Sequence, residues 1–210
     1  MNTFIPAFHW HFLTSSYERM ARPFAKSIWK RMADEVAKKA PQHATVMDLG
    51  CGPGTILRLI QNKRPDLKLV GADIDPAIIH IAEKEAVGKN IEFHTASIDD
   101  LPFQQQSADI VISSLMFHHL DESVKRRAME QVQRILKPTG MFLLCDFSVP
   151  KHPWLTPFAS LFLAIEHEVP KQLRGQLFAL ASQANMNIET LATFYGLISL
   201  HLLLPRTLDN

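Results

Sequence analysis

The chain has 210 residues, the size of one domain with additions. Apolar residues make up 47% and charged residues 20%, ordinary globular usage that excludes a disordered chain. Its 22 basic and 21 acidic side chains leave a formal charge of +1, which gives no general attraction for a polyanion such as DNA.

In chain order, the first nineteen residues are apolar but lack the basic start and clean apolar run of a signal peptide. Met20, Phe24, Ile28, Met32 and Val36 recur every four residues, with Tyr17 and Trp29 widening the stripe. They predict a helix that ends before Pro41, with Lys38 and Lys39 suited to its negative end. Pro23 either kinks this helix or starts it. From residue 44 onward, strand and helix patterns alternate: strands at 44–49, 67–72, 91–95, 109–113 and 141–147, and helices at 55–62, from Pro76 towards Gly88, and at 122–136. Such alternation predicts a parallel sheet with right-handed crossovers and ligands beyond the carboxyl ends of the strands. Those ends fall just after Asp48, Asp73, Thr95, Ser113 and Asp146. Beyond them, the apolar stretch at 154–165 is interrupted by Pro157 and is too short to span a bilayer.

Segment composition divides the chain into a 1–43 helical segment, a 44–150 scaffold and a 151–210 addition. Only 5 of the 18 Phe, Trp and Tyr residues lie in the scaffold. The aromatic ends are therefore expected to act as a lid over an apolar pocket, against the alternative of plain core packing or a dimer face. Residues 1–43 carry 7 basic and 3 acidic side chains, a weak basis for peripheral contact with anionic lipid. Two cysteines, Cys51 and Cys145, make no disulfide framework and point to a reducing, cytoplasmic compartment. Both read as packing residues. Monomer and homodimer both remain open.

Three of the eight glycines, Gly50, Gly52 and Gly54, fall within five residues between the first strand and first helix. Glycines there permit sharp turns and close approach of a ligand to the backbone. The loop lacks the Gly-Lys-Ser/Thr of a triphosphate loop, and its spacing is not the dinucleotide fingerprint, which disfavours an NAD-dependent dehydrogenase. Asp73 closes the second strand 21 residues beyond Gly52, where a carboxylate can accept both hydroxyls of a ribose. Asp75-Pro76 already caps the next helix, which leaves Asp73 for the ligand. A histidine near a reacting group can serve as a base at neutral pH, and His118 in Phe117-His118-His119-Leu120 is the leading candidate. The alternative is that this loop is only shaped by a histidine bonded to backbone. His9-x-His11 and Glu166-His167-Glu168 lack the remaining ligand spacing of a metal site, so no metal is expected.

Four blocks resemble class I S-adenosylmethionine-dependent methyltransferases, in particular the small-molecule branch that includes ubiquinone and menaquinone biosynthesis enzymes: VMDLGCGPGT at 46–55, VGADIDP at 70–76, SIDDLPFQQQSADIVISSLMFHHL at 97–120 and RILKPTGMFLLCDF at 134–147. The resemblance implies a doubly wound α/β fold with a seven-stranded, mostly parallel sheet whose last strand is antiparallel; 188–194 and 198–204 fit the final hairpin. It implies S-adenosylmethionine as cofactor, with Gly50, Cys51, Gly52 and Gly54 lining its methionine half and Asp48 orienting its ammonium group. Asp73 would hold the ribose, Ile74 would cover the adenine, and Ile98 would offer its backbone N–H. Ser97 stands where the family usually has an Asp for the adenine amino group. Ser113 and Ser114 follow the fourth strand, where a backbone carbonyl commonly meets the ammonium. Thr139 replaces a usual glycine in the Lys-Pro-Gly-Gly turn. The expected function is direct methyl displacement onto a small apolar or aromatic acceptor, by O-, C- or N-methylation. A catalytically silent cofactor-binding partner protein is the alternative. Nucleic-acid methylation is disfavoured, because the Asn/Asp-Pro-Pro-Tyr/Phe block is missing after the fourth strand.

Overall fold

The computed structural model describes residues 11–149 and 175–206, without the side chains of residues 11–24. His9, His152, the 154–165 stretch and Glu166-His167-Glu168 lie outside the described residues, as do the side chains of His11, Tyr17, Met20 and Phe24. Helix α1 (His11–Lys39) runs continuously across Pro23, so the proline does not mark its start. The face it buries is the predicted one: Ile28, Met32 and Val36, joined by Ala33, pack with Ile56, Leu57 and Ile60 of α2 (Thr55–Lys63), and Ala25 is buried as well. Burying one such Ile or Val side chain contributes about 1.5–3 kcal/mol. The carbonyls at the end of α1 are collected by a residue the sequence did not single out. Arg64 donates to the carbonyl oxygens of Ala37, Ala40 and Pro41 at 2.9–3.0 Å, while Asp66 grips its other edge at 2.8 Å.

The strands are β1 (Thr45–Leu49), β2 (Lys68–Asp73), β3 (Ile91–Thr95), β4 (Ala108–Ser114), β5 (Leu136–Phe147), β6 (Met186–Phe194) and β7 (Ile198–Pro205). They form one seven-stranded sheet in the order β3-β2-β1-β4-β5-β7-β6. β1 to β5 pair in parallel, with Met47 opposite both Val70 and Val111, and β7 runs antiparallel between β5 and β6. Helices α1, α2 and α3 (Pro76–Glu85) cover one apolar layer, and α4 (Glu122–Ile135) and α5 (Gln176–Gln183) the other. This is the expected doubly wound architecture. No helix among the described residues is long and apolar enough to cross a membrane.

Two elements differ from expectation. β5 begins at Leu136, not 141, because Ala108 already pairs with Leu136 and an irregularity absorbs the turn before Ile110 pairs with Met141. Lys137 stitches this stretch down, donating to both Asp109 carboxylate oxygens at 2.8 Å. Thr139 is tolerated because the crowded position is the next one: a Cβ on Gly140 would lie 3.0 Å from the Lys137 carbonyl oxygen. Helix α5 was not foreseen, since eight residues with a nearly continuous apolar run carry no clear period. The final hairpin is as expected; in its three-residue connection Tyr195 and Gly196 have φ of 51° and 71°, both left-handed, and the Leu197 N–H closes the turn onto the Phe194 carbonyl oxygen at 3.1 Å.

Candidate active site

The strand order changes direction between β1 and β4, and the crevice at their carboxyl ends is where an open α/β sheet receives ligands. The glycine loop folds over the end of β2: the backbone N–H groups of Gly50 and Cys51 both donate to the Ala72 carbonyl oxygen, at 2.8 and 3.0 Å. Its three glycines serve different ends. A Cβ on Gly50 would strike Met116 at 2.5 Å, and one on Gly54 would strike the Phe93 ring at 2.8 Å. One on Gly52 would meet nothing within 4 Å, although φ there is +52°. Gly50 and Gly54 thus allow close packing, while Gly52 holds open the approach to the loop. Leu115, with φ of 54°, turns the chain after β4 and leads to Met116 beneath Gly50. A bulky residue in that region is uncommon and marks a constrained segment.

Under the loop, Asp48 on β1 is buried, and its Oδ1 finds no hydrogen-bond donor among the described residues. Burial, and then the nearby charge of Asp73, push its pKa up to about 8. Ser114 Oγ, at the end of β4, is likewise buried without a partner among the described residues. Asp73 was expected to be left for a ligand, and the structure adds two backbone partners to it. Its Oδ2 accepts from Gly52 N–H at 3.0 Å and its Oδ1 from Asp75 N–H at 3.1 Å, while Asp75 caps α3 through Ala77 N–H at 2.8 Å. Asp73 therefore pins the glycine loop, and each oxygen keeps acceptor capacity. Burial raises its pKa, and the backbone donors oppose that rise. One buried and one half-buried acid beside an open backbone loop suit a cationic ligand. Cys51 lies among this group with its thiol pushed far above the ordinary range by burial, an inert packing residue as read.

Ile74, next to Asp73, is 42% exposed at the mouth of the crevice, and Ile98 is buried. Ser97 does not stand alone: its hydroxyl donates to Asp99 Oδ1, and Arg127 donates to Asp99 Oδ2 from Nε at 3.1 Å and Nη2 at 2.8 Å. Ser113 is buried and donates to the Leu49 carbonyl oxygen at 2.7 Å, tying β4 to β1. His118 sits in the short 3-10 turn Phe117–His119 after β4, almost wholly buried. Its Nδ1 lies 2.8 Å from Asp146 Oδ1, and its backbone N–H donates to Asp146 Oδ2 at 3.1 Å. Asp146 was seen in the sequence only as a strand end; an acid closing an apolar strand run was the available signal for a role.

Comparison with known proteins bears on this arrangement. Residues 46–140 match the model of a methyltransferase domain family. The chain is 29% identical over 155 residues to a ubiquinone/menaquinone biosynthesis C-methyltransferase of Legionella pneumophila, covering 70% of this chain and 61% of that protein. It is 32% identical over 132 residues to the enzyme of that name from Hahella chejuensis, covering 60% of this chain and 51% of that one. It therefore spans less than two thirds of the length of these relatives. A Pyrococcus horikoshii OT3 protein of 20% identity superposes with a TM-score of 0.74, covering 91% of this chain and 99% of that one. A putative S-adenosylmethionine-dependent methyltransferase from Methanococcus maripaludis, 13% identical, gives 0.69 over 93% of each chain. These two likenesses speak to the fold. Residues 46–140 thus resemble a methyltransferase domain, and the chain is similar in sequence to ubiquinone and menaquinone biosynthesis C-methyltransferases and in fold to the two solved structures.

Proposed function

We propose that this protein transfers a methyl group from S-adenosylmethionine to a small, largely apolar or aromatic acceptor. The observation that carries the reading is the open side of Gly52 above the buried Asp48 carboxylate and the half-buried Asp73 carboxylate. The ligand it implies carries positive charge, and Asp48 Oδ1 and Ser114 Oγ are polar atoms in want of a partner. Gly50, Cys51, Gly52 and Gly54 would line the methionine half, Asp48 would face the ammonium, and Ser113 and Ser114 would close that end. Asp73 would take the ribose hydroxyls, with Ile74, Ser97 and Ile98 at the adenine. His118 is the candidate catalytic residue. When bound, the cofactor supplies an activated methyl group on a good leaving group. What the chain must add is alignment and exclusion of water.

The aromatic ends support an apolar acceptor, with residues 1–29 and 151–170 as its cover beside the 44–150 scaffold. The relatives named above, C-methyltransferases of quinone biosynthesis, support a ring-bearing acceptor. Titration calorimetry with S-adenosylhomocysteine tests the reading: micromolar binding is expected, and no binding at millimolar ligand overturns it. Turnover with hydrophobic ring acceptors separates an enzyme from a silent cofactor-binding partner. Deleting residues 1–15 should change cofactor affinity by less than about 1 kcal/mol yet greatly reduce turnover. Full turnover in that folded truncation overturns the cover.

A further inference from the structure

Resting on the methyltransferase reading, we infer that Asp146 is a positioning residue that holds His118 as a base for an acceptor bearing an ionisable hydroxyl. Asp146 is fully buried; its carboxylate accepts the His118 backbone N–H at 3.1 Å and the Phe147 backbone N–H at 2.7 Å, and its Oδ1 lies 2.8 Å from His118 Nδ1. A carboxyl that accepts two backbone N–H bonds and is held below its usual range is ionised, so the ring nitrogen facing it must carry the proton. In that tautomer Nε2 presents a lone pair, to which no described residue hydrogen-bonds. Ring and backbone of His118 are clamped by the same carboxylate. The ring is further wedged by Phe147, edge-on at 5.0 Å, and by His119 at 3.9 Å. Its turn connects directly to Met116, which lies against Gly50 of the cofactor loop. The base is therefore held to one tautomer and one orientation, on the turn that follows Met116.

This arrangement selects an acceptor class. A neutral amine attacks a sulfonium methyl through its own lone pair and needs no prior deprotonation. A phenol, enol or hydroquinone does need it, to raise electron density at oxygen or at the neighbouring ring carbon. In the step, Nε2 takes the hydroxyl proton and the oxyanion, or its conjugate carbon, forms the new bond to the methyl carbon. The sulfur keeps the electron pair of the bond that breaks. Attack through oxygen leaves the proton on the imidazolium, to pass to water; attack through carbon also releases the ring proton to water as the ring regains aromaticity.

The test uses the full chain labelled with 15N-histidine and long-range 1H–15N correlation spectra. His118 is identified by the signal lost in His118→Gln. The expected spectrum has Nδ1 protonated and Nε2 bare. Asp146→Asn should move it towards the other tautomer, while affinity for S-adenosylhomocysteine stays within about twofold. A wild-type His118 protonated at Nε2, or an unchanged tautomer in Asp146→Asn, overturns the positioning role even if the cofactor binds. Should Asp146→Asn not fold, the wild-type spectrum decides alone. The acceptor class is read from turnover of naphthols, catechols and hydroquinones beside anilines and thiols of the same ring size. Transfer to the hydroxylated rings is expected, with kcat falling on the order of 10²-fold or more in His118→Gln. Transfer to none of them, or to anilines alone, overturns it.

Discussion

Asp48 and Asp146 close two strands of the same sheet, β1 and β5, and both are buried, yet their electrostatic states are opposite. Burial opposes ionisation at each. At Asp146 the His118 imidazole and two backbone N–H donors overcome it and hold the carboxyl below its usual range. At Asp48 no donor answers Oδ1, and the pKa rises to about 8. One aspartate is satisfied by the fold itself. The other has an oxygen without a partner among the described residues, and on the proposed reading this difference separates a region that positions from a region that binds.

The largest way to break this contrast is to fill the open side of the loop. Gly52→Val places a branched side chain in the ligand's approach, at a φ that L residues avoid. Binding of S-adenosylhomocysteine should fall below detection while circular dichroism stays native. Normal affinity would mean that the loop does not touch the ligand.

Much of this binding half was legible in the sequence because backbone conformation and strand ends write themselves locally. The glycine spacing, Asp73 at a strand end and the Asp75-Pro76 cap each have a short-range signature. The positioning half was not legible in that way. His118 and Asp146 are 28 residues apart and meet only because β4 and β5 pair, and His201 reaches the same face from β7. Arg64 was missed for the same reason: its partners at the end of α1 are 23 to 27 residues away. The roles of Gly50 and Gly54 were read as ligand contacts, but the fold also requires them, for Met116 and Phe93.

Asp73→Ala is expected next in size. It removes two backbone bonds of the loop along with the proposed ribose contact, and should weaken binding by about 1–3 kcal/mol. Calorimetry checks this, and an unchanged affinity would place the ribose elsewhere.

Asp48 sharpens the contrast through pH. Its folded pKa of about 8 stands above the unfolded carboxylate value, so between about pH 4 and 8 the native state binds more protons than the unfolded one. Its contribution to stability is full below the unfolded pKa and is lost as pH rises through the folded one. The ligand-free protein should therefore lose Tm across that window, and Asp48→Asn should flatten the loss. A cationic group facing Asp48 should expel the proton. Calorimetry at pH 7 in buffers of different ionisation enthalpy should then report release of about one proton on binding, abolished in Asp48→Asn. No proton release in the wild type would remove Asp48 from the ammonium site.

The smallest effect is expected at Ser97, and it tests whether an alternative to a carboxylate has been built there. Ser97 gives its proton to Asp99, which Arg127 holds from the other side. With its hydrogen committed, the Ser97 oxygen has only acceptor capacity left, which suits an amino group of the adenine. Hydrogen bonding to Ser97 and the Arg127 guanidinium outweigh the cost of burial and hold Asp99 below the usual carboxylate range, so the chain stays polarised at neutral pH. Ser97→Ala removes one neutral hydrogen bond and should cost about 0.5–1.5 kcal/mol of cofactor affinity. Ser97→Asp installs the acid usual at this position in the resembling family, but sets it against Asp99. Like charges at that spacing repel, so affinity should fall and not rise, and Ser97→Asp with Asp99→Asn should recover it. Tighter binding by Ser97→Asp alone would show that Ser97 is a plain loss of the carboxylate, with Asp99 and Arg127 serving only the surface.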